Sequence, residues 1–206
     1  MSPKVMSGKA ASGTRERILD ATRELAAGTG MRKLSMDEVA RRAGVSRAGL
    51  YKHFAGRDAL ISALVEEELA TFFAGVQAVA QGYDDDADRL VHSFAAAYRS
   101  LSEHPAIRPV LTMNPELFLP YVITADSQAL NWGRMFVATF LPLDGWSTPD
   151  AANRFAEHVA RAFHTLILIP SEVLGLDRPD GPEEYARDFL LPVLEHLRPE
   201  VDSKSE

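Results

Sequence analysis

Apolar residues recur every three or four positions along most of this 206-residue chain, which is the spacing of one helical face. In the first 80 residues, helix-capping residues and glycines mark four helices, which are expected to begin at Thr14, Ser35, Ser46 and Gly56. The first ends at Gly28 and Gly30, the third at about His53 and the fourth at about Ala80. Ser35 and Glu38 have the spacing of a capping box.

The helical spacing continues to the C-terminus. Further helices are expected over 86–103 and 125–140, after the Thr148-Pro149 pair and after Pro182, with four prolines between 105 and 120 interrupting the pattern. Because no segment alternates like a solvated strand, the predicted fold class is all-α. The expected divisions are a disordered arm (1–13), a first helical domain (14–60), a second and larger helical domain (61–200) and a tail (201–206).

Residues 35 to 53 have the residue types of a helix-turn-helix, in which the second helix of the pair enters the major groove of DNA. Ala40 is small where the two helices would cross. Gly44 can supply a positive φ in the turn. Val45 and Leu50 can hold the turn and the following helix on a core.

The third helix would present a polar surface to DNA. Arg47 lies in its first turn, where a guanidinium suits guanine O6 and N7. Gly49 costs about 1 kcal/mol relative to alanine within a helix, and either close approach to DNA or simple tolerance explains it. Phosphate oxygens are the expected partners of a further set: Tyr51, Lys52, His53 and Arg57.

The distribution of charge agrees with a basic DNA-binding head on an acidic body. The whole chain has a net charge of −7, but residues 1–62 hold 12 basic and 6 acidic residues, which gives +6. The remainder therefore has a net charge of −13. Such asymmetry favours contact between the N-terminal third and nucleic acid.

The sequence contains few signals for other classes of function. There is no cysteine, and GxSxG, P-loop and HExxH motifs are absent, so neither an enzyme nor a cofactor is predicted. The histidines are scattered without a helical metal-pair spacing, although a metal-responsive regulator remains an alternative. Met1 to Gly13 lacks the apolar core of a signal peptide, and the longest uncharged stretches fall short of the about 20 residues of a membrane span. A cytoplasmic protein without membrane contact is expected.

Two segments, Thr14–Ala21 and Leu34–Leu60, closely resemble the tetracycline-repressor (TetR/AcrR) family. The most specific matches are Ala43-Gly-Val-Ser, Leu50-Tyr-Lys-His-Phe and Gly56-Arg-Asp-Ala-Leu; Met31 departs from the family's usual aromatic residue. The resemblance implies an all-helical homodimer that represses until a small molecule binds. It also implies that one set of residues lies at or near DNA: Ser35, Arg47, Ala48, Gly49, Tyr51, Lys52, His53 and Arg57.

Two apolar stripes near the C-terminus fit the resemblance, since family members form a four-helix bundle with such a pair and its copy. The residues are Phe155, Val159, Phe163 and Leu166 on one helix, and Tyr185, Phe189, Val193 and Leu197 on the other. An intrachain core is the alternative. A two-fold dimer would carry two heads about 34 Å apart, or a multiple of this, and would require a palindromic operator.

An effector pocket is expected between the fourth helix and segments 90–101, 107–119 and 126–140. The candidate lining residues are Phe73, Phe94, Tyr98, Met113, Trp132, Met135 and Phe136, and the candidate polar anchors are Asn131, Arg134 and His158. Plain core packing is the alternative for each. The apolar character favours a hydrophobic or amphipathic effector. Movement of the segment from Pro105 to Pro120 is hypothesised to tilt the fourth helix and change the separation of the heads.

Overall fold

The computed structural model describes residues 6–30, 33–104, 128–140 and 146–198. Within these ranges the regular structure is helical and contains no strand, which confirms the all-α prediction. The chain divides into two compact units, an N-terminal unit (Met1–Thr71) and a C-terminal unit (Phe72–Glu206). This division falls eleven residues after the domain boundary expected from the sequence.

Four helices begin in the N-terminal unit: α1 (Met6–Thr29), α2 (Met36–Ala43), α3 (Arg47–His53) and α4 (Arg57–Ala80). The last of these continues across the boundary between the units, because its apolar spacing is unbroken. The bounds of α2, α3 and α4 agree with the sequence prediction to within a residue. No helix in the described ranges combines the length and apolar character that crossing a membrane requires.

The start of α1 corrects the expectation of a disordered arm over residues 1–13. The helix already includes residues 6–13, eight positions before the expected cap at Thr14. Extending an existing helix adds one hydrogen bond per residue without a new nucleation cost, so even a segment with two glycines and two serines can continue it. Residues 1–5 lie outside the described residues.

The core of the N-terminal unit consists mainly of aliphatic side chains and alanines from all four helices. Ala40 and Ala43 of α2 are buried, in keeping with a close crossing of helices. Among the unit's described residues, six are completely inaccessible to solvent: Ile18, Leu19, Thr22, Val39, Leu50 and Leu60. Val45 packs against the same core, as predicted.

The turn between α2 and α3 has the predicted geometry. Gly44 adopts φ 65° and ψ 36°, the left-handed conformation that glycine accepts most readily. The Val45 N–H donates to the Ala40 carbonyl at 3.0 Å. Ser46 caps α3 as predicted, because its Oγ accepts from the Gly49 N–H at 3.0 Å.

The capping box predicted at the start of α2 is wrong. Ser35 occupies the N-cap position, but its side chain makes no capping hydrogen bond. Glu38 instead pairs with Arg41 at 3.5 Å on the exposed surface of the same helix. A charged neighbour three positions away competes with the backbone for the carboxylate.

The C-terminal unit contains α5 (Asp86–Ser102), α6 (Gln128–Phe140), α7 (Pro149–Leu168), α8 (Gly181–Tyr185) and α9 (Leu191–Leu197). The predicted cap of α7 is confirmed, since Thr148 Oγ1 accepts from the Ala151 N–H at 3.1 Å. The final predicted helix differs from expectation, because a π-helical turn (Ala186–Leu190) separates α8 from α9. Pro192, two residues after this turn, has no N–H to donate, so the backbone hydrogen bonding must change near it.

Candidate functional site

Helix α3 is held by a single fully buried side chain and turns its polar residues outward. Leu50 is completely buried in the core of the N-terminal unit. Arg47, Ala48, Tyr51 and Lys52 are all exposed, as the sequence predicted for a DNA-reading surface. These four residues at positions i, i+1, i+4 and i+5 share the outer side of the helix.

Arg47 has two contacts among the described residues. Its Nη1 lies 3.3 Å from Asp37 Oδ1, on α2. Its Cζ lies 5.8 Å from the centroid of the Tyr51 ring, one turn further along α3. The guanidinium therefore has a defined position although 67% of the side chain is exposed. Asp37 was not among the residues predicted from the sequence, because its only signal was its place in the first turn of α2.

Gly49 has an explanation inside the chain. Its N–H donates to Ser46 Oγ, and a Cβ at this position would lie 3.1 Å from that oxygen. A side chain there would therefore crowd the residue that caps α3. This contact exists without DNA, so close approach to a duplex is not required to account for the glycine.

The other residues implied by the resemblance lie around α3 in different settings. Ser35 is exposed and His53 is partly buried. Arg57, the first residue of α4, donates from Nε to the Leu34 carbonyl at 3.3 Å. This contact ties the start of α4 to the segment before α2, so Arg57 has a structural role whether or not it contacts phosphate.

Several cations of the N-terminal unit are neutralised by acids away from α3. Arg23 contacts Asp20 and Glu68 at 2.6 Å and Glu67 at 3.0 Å. The hydrogen bond to Glu68 is the main reason that the pKa of Arg23 is raised. By contrast, Lys52 forms no ion pair with any other described residue. Lys52 and the largely exposed Arg47 therefore offer basic charge on the outer side of α3.

A small helix-turn-helix with an exposed arginine at the start of its second helix has the geometry to enter a DNA groove. The family model for bacterial regulatory proteins of the tetR family matches residues 18–64, which contain α2, α3 and the flanking core residues of α1 and α4. Residues 18–64 are therefore similar to the DNA-binding part of tetR-family regulators. The similarity supports a DNA-binding transcriptional regulator.

Sequence relatives agree with this assignment. A protein of Mycobacterium tuberculosis, described as an uncharacterized HTH-type transcriptional regulator, is 28% identical over 180 residues, which is 87% of this chain and 84% of the relative. The HTH-type transcriptional regulator SrpR of Pseudomonas putida is 38% identical over 52 residues, 25% of this chain and 24% of SrpR.

Solved structures of TetR-family proteins share the fold. The repressor AlkX of a Dietzia strain, implicated in biodegradation of n-alkanes, superposes with a TM-score of 0.62 at 21% identity and covers 87% of this chain and 96% of AlkX. A TetR-family regulator of Pectobacterium atrosepticum has a TM-score of 0.63 at 19% identity, over 93% and 97% of the chains. RolR in complex with resorcinol has a TM-score of 0.57 at 16% identity, over 89% of both chains.

Rings from five helices of the C-terminal unit, counting the end of α4, form a continuous series of contacts, here called the aromatic chain. Phe73 lies 4.9 Å from Phe136 and 6.4 Å from Trp132, measured between ring centroids. Phe94 lies 5.9 Å from Phe163 and 5.4 Å from Tyr185. Phe72 joins the two halves, at 5.1 Å from Phe73 and 6.5 Å from Phe163. The members are Trp132, Phe136, Phe73, Phe72, Phe163, Phe94 and Tyr185.

The structure brings four of the candidate effector residues into this chain, namely Phe73, Phe94, Trp132 and Phe136. Tyr98 is buried nearby on α5, where loss of solvent raises the pKa of its phenol. Met113 lies outside the described residues. Phe72, Phe163 and Tyr185 were assigned to other roles from the sequence, because ring positions on separate helices carry no signal of their mutual contact.

The expected polar anchors do not converge on the aromatic chain. Arg134 is exposed and bonds to Asn131 and, at 3.0 Å, to Glu157. Burial opposes ionisation of Glu157, but hydrogen bonds from Arg161 and Arg134 hold its pKa below the usual range. His158 is exposed, and Met135 is 66% exposed. Arg134, His158 and Met135 therefore lie on the surface of the C-terminal unit, contrary to the expectation that they line a pocket.

The expected dimer stripes need a similar correction. Phe155, Val159 and Leu166 are buried in the core of their own unit, so they have no surface to offer a partner. Phe163 and Tyr185 belong to the aromatic chain. Phe189 is 50% exposed, while Val193 and Leu197 are partly buried, and these three retain outward apolar surface. Helical spacing identified an apolar face on each helix, but not what covers it.

Proposed function

We propose that the protein is a homodimeric repressor that binds a palindromic operator through α3 and leaves it when a hydrophobic or amphipathic small molecule binds the C-terminal unit. The main support is the pattern of burial along α3. Leu50 is fully buried, while four other residues are exposed: Arg47, Ala48, Tyr51 and Lys52. A helix held this way can lie in a groove without losing its attachment to the core.

Each exposed residue of α3 has a specific chemical role in this proposal. The Arg47 guanidinium donates to O6 and N7 of a guanine, and the small side chain of Ala48 allows contact with a thymine methyl. Lys52 and the Tyr51 hydroxyl bind phosphate oxygens, which fixes the register of the head on the duplex. Discrimination between bases is therefore assigned to the start of α3 and affinity to its later residues.

The effector part of the proposal rests on the aromatic chain. Its rings provide the apolar lining that small-molecule pockets use. RolR, which is similar in fold, binds resorcinol, and AlkX is implicated in biodegradation of n-alkanes. Phe72 and Phe73 belong to α4, the helix that also contributes Leu60 and Leu64 to the core of the N-terminal unit. An effector that displaces these rings would act on α4 directly.

The dimer part of the proposal uses the outward apolar surface at Phe189, Val193 and Leu197. Two-fold pairing through this surface would present two heads to the two halves of a palindrome. The effector must prefer one shape of the dimer by about 10⁴-fold to reverse a 99:1 occupancy. Scattering curves with and without a verified inducer test this switch, and an unchanged separation of the heads would refute it.

The DNA-binding role is tested by selecting operators from random duplexes with the purified protein and then measuring affinity by fluorescence anisotropy at several salt concentrations. Arg47→Ala should lose about 1–3 kcal/mol of discrimination at one base pair in each half-site. Lys52→Ala should weaken all sequences alike and reduce the salt slope by about one. Lys52 is preferable to Arg57 for this purpose, since Arg57 also holds the Leu34 carbonyl.

Arg154→Ala is the matched control, because Arg154 is a similarly exposed arginine on α7, paired with Asp150 at 3.9 Å. It should leave both discrimination and the salt slope unchanged. The assignment of α3 is wrong if Arg47→Ala and Lys52→Ala behave like this control.

A further inference from the structure

We infer that Asp37 is a specificity-determining positioning residue, whose carboxylate holds Arg47 in the orientation that reads one base pair of the operator. The inference rests on the proposed role of α3 in DNA binding. Asp37 lies on α2 and Arg47 on α3, so a residue outside the reading helix would control what that helix reads.

The contact joins the two helices of the helix-turn-helix. Arg47 Nη1 lies 3.3 Å from Oδ1 and 3.4 Å from Oδ2 of Asp37. Asp37 is the second residue of α2 and Arg47 the first of α3, with the Gly44 turn between the two helices. Because Leu50 fixes α3 on the core, the carboxylate has a defined place relative to the start of the reading helix.

The two contacts of Arg47 among the described residues leave the Nε–Nη2 edge of the guanidinium free to bind a ligand. Asp37 engages Nη1, and the Tyr51 ring lies 5.8 Å from Cζ. Within the described part of the chain, neither Nε nor Nη2 has a hydrogen-bond partner. These two groups donate in parallel, which matches the paired acceptors O6 and N7 of guanine. Asp37 therefore selects which edge of the guanidinium faces the bases.

The exposure of the pair indicates that it acts on recognition and not on folding. The side chains are 67% and 64% exposed, and such ion pairs add little to the stability of a protein. On binding, however, the arginine is already ordered, so less side-chain freedom is lost. The Asp37 charge also repels phosphate, which lowers affinity for every sequence. Removal of the charge should therefore raise non-specific affinity while it lowers discrimination.

These opposite effects distinguish positioning from damage to the fold, which would lower both quantities. The experiment measures affinity for the selected operator, for all its single-base variants and for an unrelated duplex. The proteins are the wild type, Asp37→Asn, Arg47→Ala and the double variant. Glu38→Gln is the control, since Glu38 is the neighbouring acid on α2, pairs with Arg41 at 3.5 Å, and its change removes the same charge.

Asp37→Asn should reduce the preference about 3- to 10-fold at the base pair that Arg47→Ala identifies, a loss comparable to the ordering of one long side chain. It should raise affinity for the unrelated duplex as much as Glu38→Gln does, whereas Glu38→Gln should keep the base preference. In the Arg47→Ala background, Asp37→Asn should no longer change that preference. Asp37→Glu, which keeps a carboxylate, should restore part of it.

Three results would overturn the inference: an unchanged preference in Asp37→Asn, an equal loss in the Arg47→Ala background, or a loss at a different base pair, which would make Asp37 itself a base reader. Failure of the wild type to bind any duplex in a salt-dependent way is a separate outcome. It would overturn the proposed function of α3.

Discussion

The two units of the chain are built from different side chains. The N-terminal unit contains only two of the 17 aromatic residues, and its core consists of leucine, isoleucine, valine and alanine around Phe54. The C-terminal unit contains the other 15, and among its described residues rings from several helices contact one another. Small side chains allow short helices to cross closely and keep α3 rigid, whereas rings fill wider and less regular spaces between helices.

The units also use their charges differently. In the C-terminal unit, Arg99 and Arg134 are held by Glu183 and Glu157 of the same unit. In the N-terminal unit, the exposed surface of α3 keeps Lys52 without an ion pair among the described residues and Arg47 in only one exposed pair. Charge on α3 is therefore available to a ligand, whereas Arg23 of the same unit is held by acids in the way that Arg99 and Arg134 are.

The largest effect that separates the units is expected from Leu50→Ala. Leu50 is completely buried, and truncation of such a leucine costs about 2–5 kcal/mol. Both tryptophans, Trp132 and Trp146, belong to the C-terminal unit. In Leu50→Ala, part of the circular dichroism signal should therefore be lost at a lower urea concentration than in the wild type. The unfolding transition measured by tryptophan fluorescence should occur at the same urea concentration.

Leu194→Ala is the matched control for this experiment. Leu194 is 4% exposed in the core of the C-terminal unit, so its truncation should shift the fluorescence transition by a similar free energy. A fluorescence transition that moves equally in both variants would break the comparison, since the two units would then unfold as one.

A smaller effect is expected from Glu183→Gln. Hydrogen bonds from Arg99, one of 2.7 Å, hold the pKa of Glu183 below its ordinary value. A carboxylate with a lowered pKa in the folded state stabilises the fold above its unfolded pKa, and this contribution disappears as pH falls through the folded pKa. The variant should therefore lose about 1–2 kcal/mol at neutral pH and nothing in acid.

Tryptophan fluorescence in urea at pH 7 and in acid measures this difference. Glu184→Gln is the control, because Glu184 is the next residue and its pair with Arg178 is exposed. That control should change stability by less than about 0.5 kcal/mol at either pH. A loss in Glu183→Gln that persists unchanged in acid would mean that ionisation of this carboxylate does not stabilise the C-terminal unit.

The smallest change in stability is expected from replacing the two serines at N-cap positions of the N-terminal unit. Ser46→Ala should cost about 1 kcal/mol, because Ser46 Oγ accepts from the Gly49 N–H. Ser35→Ala should change stability by less than about 0.5 kcal/mol, since the Ser35 side chain makes no capping hydrogen bond. Circular dichroism in urea compares the two, and equal losses would contradict the difference in capping.

Local signals predicted much of the fold correctly. Gly44 adopts the expected positive φ, Ser46 and Thr148 cap the expected helices, and Leu50 is buried as predicted. Each of these features depends on hydrogen bonds or steric limits within a few residues along the chain. The exposed surface of α3 follows from the same local pattern, so the candidate DNA-reading residues could be named without a structure.

The expectations that were wrong depend on contacts between distant residues. Phe155 and Phe189 both belong to apolar helix faces, yet one is completely buried and the other is half exposed. Periodicity identifies such a face but carries no information about which helix covers it. The predicted start of α1 at Thr14 was wrong for a related reason. A helix can extend from a packed segment into residues 6–13, and the composition of those residues does not reveal this.

By itself the sequence determined the helical class, the helix-turn-helix and the outward residues of α3, because these follow from periodicity and from caps and turns that act over four residues or fewer. Only the tertiary structure decided that Asp37 meets Arg47, that Phe72 links the two halves of the aromatic chain, and that Phe155 lies in the core of its own unit. Such contacts arise when whole helices pack together, and packing depends on the shapes of all the surfaces involved at once.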